Sequence, residues 1–199
     1  MTMRRWLFPL LGSTMLATAA CGRSGTASAR AETTVDSALS ADVALERFRA
    51  ALVAPDSLSG GERSRDALVR AFVRAVERAD TAALRRTTMT RAEFAFLYYP
   101  TNPQSRPPYD LTPGLMWDML DLHSGRGLRH LLEERAGRPL GFAGYVCDPN
   151  ASIQGENRVT GPCLIRRRVD GALFDERLFG LIVERGGRFK FVSLANALD

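Results

Sequence analysis

Six aromatic residues and three acids fall close together in the middle of the chain: Phe94, Phe96, Tyr98, Tyr99, Tyr109 and Trp117, with Asp110, Asp118 and Asp121. Aromatic rings supply contact area and tyrosine hydroxyls supply direction, which makes Tyr98, Tyr99, Tyr109 and Trp117 candidates for the rim of a ligand pocket. The competing reading is that these rings pack the proline-rich loop between them onto neighbouring helices. Tyr98 and Tyr99 are consecutive, and consecutive side chains on a helix point in different directions, so at least one of them is expected at a surface or a rim. A tyrosine beside an acid whose pKa is raised by burial could polarise a carbonyl group. No motif assigns Asp110, Asp118 or Asp121 to that role, and a solvated helix edge is the simpler reading of Asp118 and Asp121. His123 and His130 are the only histidines. With Asp121 or Glu134 they could hold a metal ion, but Ser124-Gly125 is expected to break the helix between them, and they read as cap or surface residues. No Ser-His-Asp or Cys-His arrangement can be argued. Gly60-Gly61 and Gly125-x-Gly127 lack the strand-to-helix setting of a phosphate loop.

The cysteines are more informative. Residues 1–20 carry Arg4-Arg5, the apolar run Trp6 to Leu11, and the small residues Ala17, Thr18, Ala19 and Ala20, followed at once by Cys21. A charged start, a short apolar stretch and a small-residue cleavage site make a secretory signal. The apolar run is too short for a permanent membrane span. The segment ending at Cys21 resembles a bacterial lipobox, with Thr18 standing where an aliphatic residue is usual. That resemblance implies a lipid anchor on Cys21 and a membrane as the partner of this end of the chain. Cys147 and Cys163 then remain, and two cysteines in an exported domain read as a disulfide. The competing reading, a thiol or metal pair, lacks a nearby histidine and the Cys-x-x-Cys spacing.

The 199 residues suffice for one domain of ordinary size, here residues 38–199, behind a leader at 1–20 and a polar tether at 21–37. The formal charge is +5, and of 27 basic residues only Lys190 is a lysine. No basic stripe with interleaved aromatics accompanies that charge, so nucleic acid is not an expected partner. No cofactor is implied. The expected partner is an unknown protein or a small-molecule ligand.

The elements that must position these residues follow from periodicity. Ser40 opens a helix running to about Ala54, before Pro55. Ser64 caps a second, with Ala67, Leu68, Ala71, Phe72, Ala75, Val76 and Ala79 on one stripe and Arg70, Arg74 and Arg78 on solvated faces. Asp80 caps a third. Thr90 and Glu93 have capping-box spacing for a fourth, ending at Pro100. Thr112-Pro113 opens a fifth, and Ser124 a sixth, ending at Gly137. From Leu140 onward the pattern is of strands: Phe142 to Cys147, a short strand near Arg158, Leu164 to Val169, and a C-terminal pair spanning Ala172 to Ala195 with its turn at Gly186-Gly187. In that register Val183 faces Lys190, Ile182 faces Phe191 and Phe179 faces Leu194. Arg166-Arg167-Arg168 could meet anionic head groups or an acidic partner, or could pair with Glu176 or Glu184 across a ladder.

Helices first and strands last argue for α+β, with the N-terminal helices packed on a curved C-terminal antiparallel sheet. This order, the stretch Ala71 to Leu84 with Ala79-Asp80-Thr81, and the last two strands from Phe179 to Asn196 resemble the NTF2-like (cystatin-like, SnoaL-like) cone fold. The resemblance covers roughly residues 64–199 and carries no named function. It implies a concave sheet that could form a pocket. The expectation is a non-catalytic binding or interaction module in a bacterial cell envelope, with a small cone-pocket enzyme of isomerase or hydro-lyase type as the alternative.

Overall fold

The computed structural model describes residues 39–195. The leader, Cys21 and the tether lie outside the described residues. Helices precede antiparallel strands, giving the α+β order expected. Each helix opens on a side-chain oxygen that accepts from an otherwise unpaired N–H. Ser40 serves α1 (Ala41–Arg49), Ser64 serves α2 (Arg65–Glu77) and Asp80 serves α3 (Thr81–Thr87). Thr90 serves the single turn α4 (Arg91–Glu93) and Thr112 serves α5 (Pro113–Glu134).

Three helices differ from expectation, and one of them, α4, gives way after Glu93 to a π turn over Phe94–Tyr98. α1 stops at Arg49 rather than near Ala54. Arg49 turns across to donate to the Ala95 carbonyl from Nε (3.0 Å) and Nη2 (2.8 Å). α5 runs without a break through Ser124-Gly125. Its small residues serve the close approach of the C-terminal segment instead. Ser124 Oγ accepts from the Leu194 N–H at 3.3 Å, and a Cβ on Gly127 would lie 2.0 Å from the Ala195 carbonyl oxygen.

The strands form two sheets rather than one curved sheet. β1 (Phe142–Cys147), β4 (Cys163–Val169) and β5 (Ala172–Glu176) make one, in the order β1-β4-β5. β2 (Ser152–Gln154), β3 (Asn157–Thr160), β6 (Ile182–Arg185) and β7 (Arg188–Phe191) make the other, in the order β2-β3-β6-β7. Neither is closed. The long C-terminal arm is therefore divided: Ala172–Glu176 pairs with β4, and only β6 pairs with β7. The expected register of the hairpin holds, with Ile182 opposite Phe191, Val183 opposite Lys190 and Phe179 opposite Leu194. Gly186 and Gly187 take φ of 55° and 69°, the left-handed values a two-residue hairpin turn requires.

Both faces of this hairpin are covered, and its tip is exposed. Ile182 and Phe191 belong to a core with Phe72 and Val76 of α2, Leu84 of α3 and Leu131 of α5. Phe72, Phe179 and Phe191 meet there with ring centroids 4.2 to 5.4 Å apart. Val183, Val159 and Val192 belong to a second core with Leu58, Phe94, Tyr98, Tyr99 and Met116. The outer edge of β7 is occupied too: the Glu62 backbone exchanges hydrogen bonds with Phe189 (3.1 and 2.9 Å), and the Met89 N–H reaches the Phe191 carbonyl (2.9 Å). Backbone pairing of this kind removes an open sheet edge.

Two of the three arginines in the run on β4 are charge-paired. Arg166 makes a two-pronged contact with Asp175, both bonds 2.8 Å. Arg167 pairs with Glu176, which also accepts from Arg135 just beyond α5, at 3.0 and 2.6 Å. Burial alone would raise the Glu176 carboxyl, but the hydrogen bonds from Arg135 and Arg167 outweigh it and hold the group below its ordinary value. Cys147 and Cys163 are bonded across β1 and β4, with Cα atoms 4.0 Å apart.

Two predictions follow from these ties. A carboxylate held below its ordinary pKa of 4.5 adds stability that is complete above that value and disappears as pH falls through the folded-state value. Glu176→Gln should therefore flatten the loss of stability on acidification below about pH 4.5, read as urea midpoints across a pH series. A wild-type-like slope in the variant would remove Glu176 from the account. Opening the Cys147–Cys163 bond, which closes a loop of 16 residues' separation, should cost about 3 kcal/mol. Unfolding with and without reductant measures it.

Candidate functional site

Lys190 is 1% exposed and Glu93 is 0% exposed. Their side chains meet at 3.0 and 2.9 Å. Sequence patterning placed Lys190 opposite Val183 and Glu93 in a capping box, without bringing them together. The signals were a lone lysine among arginines and its place on an apolar strand face. Arginine is a poor substitute here, because its wide fork needs more room than a compact ammonium. Glu93 is saturated. Oε1 also accepts from Ser59 N–H (2.6 Å) and Ser59 Oγ (3.1 Å), and Oε2 accepts from the Thr90 N–H (2.7 Å). A buried acid so engaged acts as a structural anchor and offers no free site to a reacting group.

The aromatic candidates do not form a rim together. Tyr98 and Tyr99 are each 3% exposed, which corrects the expectation that one would reach a surface. The reason is local geometry. After α4 the chain widens into a π turn over Phe94–Tyr98 and tightens into a 3-10 turn over Tyr99–Thr101, so the two rings enter the core on different turns. The Tyr99 hydroxyl donates to the Leu111 carbonyl at 2.8 Å, pinning the proline-rich loop. Burial pushes the Tyr98 hydroxyl up to about 12, with a hydrogen bond to Asn102 opposing it. Trp117 packs on Phe94 with centroids 5.4 Å apart, while Tyr109 is exposed. The rings thus fasten the loop to the helices. Asp110, Asp118 and Asp121 are all exposed, whereas Tyr98 is enclosed. His130 lies 3.6 Å from Glu134 on α5. Among the described residues no group of three His, Cys, Asp or Glu side chains could hold a metal ion.

Two of the concave surfaces among the described residues differ sharply in character. An apolar groove of about 530 Å³ lies where Leu39, Ala44 and Phe48 face Pro113 and Gly114. A polar cleft of about 270 Å³ lies between α2 and α3. Its floor is built from Ala71, Ala75 and Ala83, side chains too small to fill the gap, and its walls carry Arg74, Arg78, Arg86, Glu62 and Asp80. Sequence patterning read Arg74 and Arg78 as a solvated helix face. The signal that separates them is the alanines at 71, 75 and 83, which turn a helix contact into a recess. No family model matches the sequence, and neither a curated protein nor a solved structure matches it.

Removing one partner of a buried ion pair leaves the other charge unpaired in a dry site. Lys190→Met should therefore destabilise the domain by about 3–5 kcal/mol. Adding Glu93→Gln to it should recover part of that loss, because the uncompensated carboxylate is gone. Denaturant midpoints of the two single variants and the double variant measure the coupling. Additive effects would mean that the pair does not act as a unit.

Proposed function

We propose that this chain is an exported protein, held to a bacterial membrane by lipid on Cys21, whose α+β domain is a non-catalytic binding module of the cell envelope. The Cys147–Cys163 bond is the observation that carries the reading, because such cross-links persist in oxidising compartments. The pattern of residues 1–20, ending in small residues before Cys21, supports it from the sequence. The saturated Glu93 and the exposed aspartates favour binding over acid–base chemistry. A recess lined by charged side chains is the feature a binding module would use.

A fold of the NTF2-like cone type is part of the same proposal. The order of helices before an antiparallel sheet and the C-terminal hairpin support it, whereas the division into two open sheets is a departure from that fold. The membrane reading is tested by fractionation. Wild-type chain should sediment with membranes, and Cys21→Ser should move to the soluble fraction. Persistent sedimentation of the variant would show that something other than lipid on Cys21 holds it there.

A further inference from the structure

We propose that the cleft between α2 and α3 binds the phosphate group of a small ligand. This arginine-rich chain neutralises part of its charge in ion pairs. On the sheets, Arg158, Arg166, Arg167 and Arg185 each meet a carboxylate, and Arg135 joins Glu176. On α2, Arg70 meets Asp66 at 2.7 Å. Among the described residues, Arg74, Arg78 and Arg86, like Arg168 and Arg188, make no such pair; what sets these three apart is that they line one cleft together, with Glu62 and Asp80. Asp80 is already committed, since its Oδ1 accepts from the Ala83 N–H at 2.8 Å to cap α3.

Three cations against two carboxylates leave the recess with an excess of positive charge. Arg74 and Arg78 are also one helical turn apart, where like charges repel. An oxyanion seated between the helices would relieve that repulsion. Guanidinium groups match phosphate geometry with paired N–H donors, which is why arginine is favoured in such sites. The alanine floor leaves room for the ligand, and a Cβ on Gly60 at the mouth would meet nothing within 4 Å. The phosphate could belong to a free phosphate ester or to a lipid head group, and the chemistry of recognition is the same for both.

This inference supplies a ligand class to the binding reading above and rests on it. Its test is independent of the anchor because it uses the full chain carrying Cys21→Ser. Inorganic pyrophosphate is titrated calorimetrically at low ionic strength, and co-sedimentation is measured with phosphatidylglycerol and phosphatidylcholine vesicles. Binding of pyrophosphate is expected, weakened about tenfold or more by joint Arg74→Gln, Arg78→Gln and Arg86→Gln replacement. Replacing the exposed Arg126, Arg129 and Arg177 by glutamine removes the same charge and should leave binding close to wild type. Arg86→Gln alone covers the case in which the triple variant does not fold, and should weaken binding several-fold. Binding to phosphatidylglycerol vesicles without pyrophosphate binding, abolished by the cleft variant, would identify a lipid head group as the source. Absence of both kinds of binding, or equal loss in the control variant, would overturn the proposal while leaving the fractionation result for Cys21 unaffected.

Discussion

The buried pair between Lys190 and Glu93 is the constraint on which the rest of the second core depends. Taking an ammonium and a carboxylate out of water costs several kcal/mol each, and only close geometry with further hydrogen bonds offsets that cost. Here the further bonds come from three places in the chain. Ser59 lies in the loop after α1, Thr90 opens α4, and Lys190 sits on the last strand. One carboxylate thus fixes the start of the helical turn that carries Phe94, Tyr98 and Tyr99, the loop that leads to α2, and the face of β7. An apolar pair of similar size could fill the same volume but would set no such register. What the pair contributes is its directional demand on the three segments.

Charge is handled differently in the two halves of the domain. On the three-stranded sheet, Arg166 and Arg167 each find a carboxylate one strand away, and the disulfide closes the ladder between β1 and β4 covalently. Exposed pairs of this kind contribute little individually, but the Arg135–Glu176–Arg167 group is mostly buried and ties the end of α5 to β4 and β5. On the helical side Arg74, Arg78 and Arg86 face a gap floored by alanines. The difference follows from spacing: a ladder places opposite charges across from each other, whereas a helix repeats Arg74 and Arg78 on one side.

Much of the fold was legible because its signals are local. Every helix start was marked by a Ser, Thr or Asp with the right neighbours, and the Gly186-Gly187 turn set the register of the final hairpin through Phe179 and Leu194. What escaped depended on distant partners. Ser124-Gly125 looks like a helix break until the C-terminal segment is laid against Ser124 and Gly127. The strand Ala172–Glu176 reads as one arm of a hairpin until β4 claims it. Tyr98 and Tyr99 become jointly buried only because the helix changes pitch between them, which no periodicity of 3.6 anticipates. The cleft was hidden for the same reason: an exposed arginine and an exposed arginine in a recess are identical in sequence.

The burial of Lys190 also changes what the folded surface offers to other molecules. It is the only lysine in the chain, and it is enclosed. Among its side chains, therefore, the native domain presents no primary amine to solvent. Acylating reagents, aldehydes and lysine-directed cross-linkers would find their target only after β7 separates from α4. The reactivity of a single amine then becomes a direct reporter of opening in the second core, free of background from other side chains. A positively charged surface made entirely of guanidinium groups is, by the same token, one that such reagents leave intact.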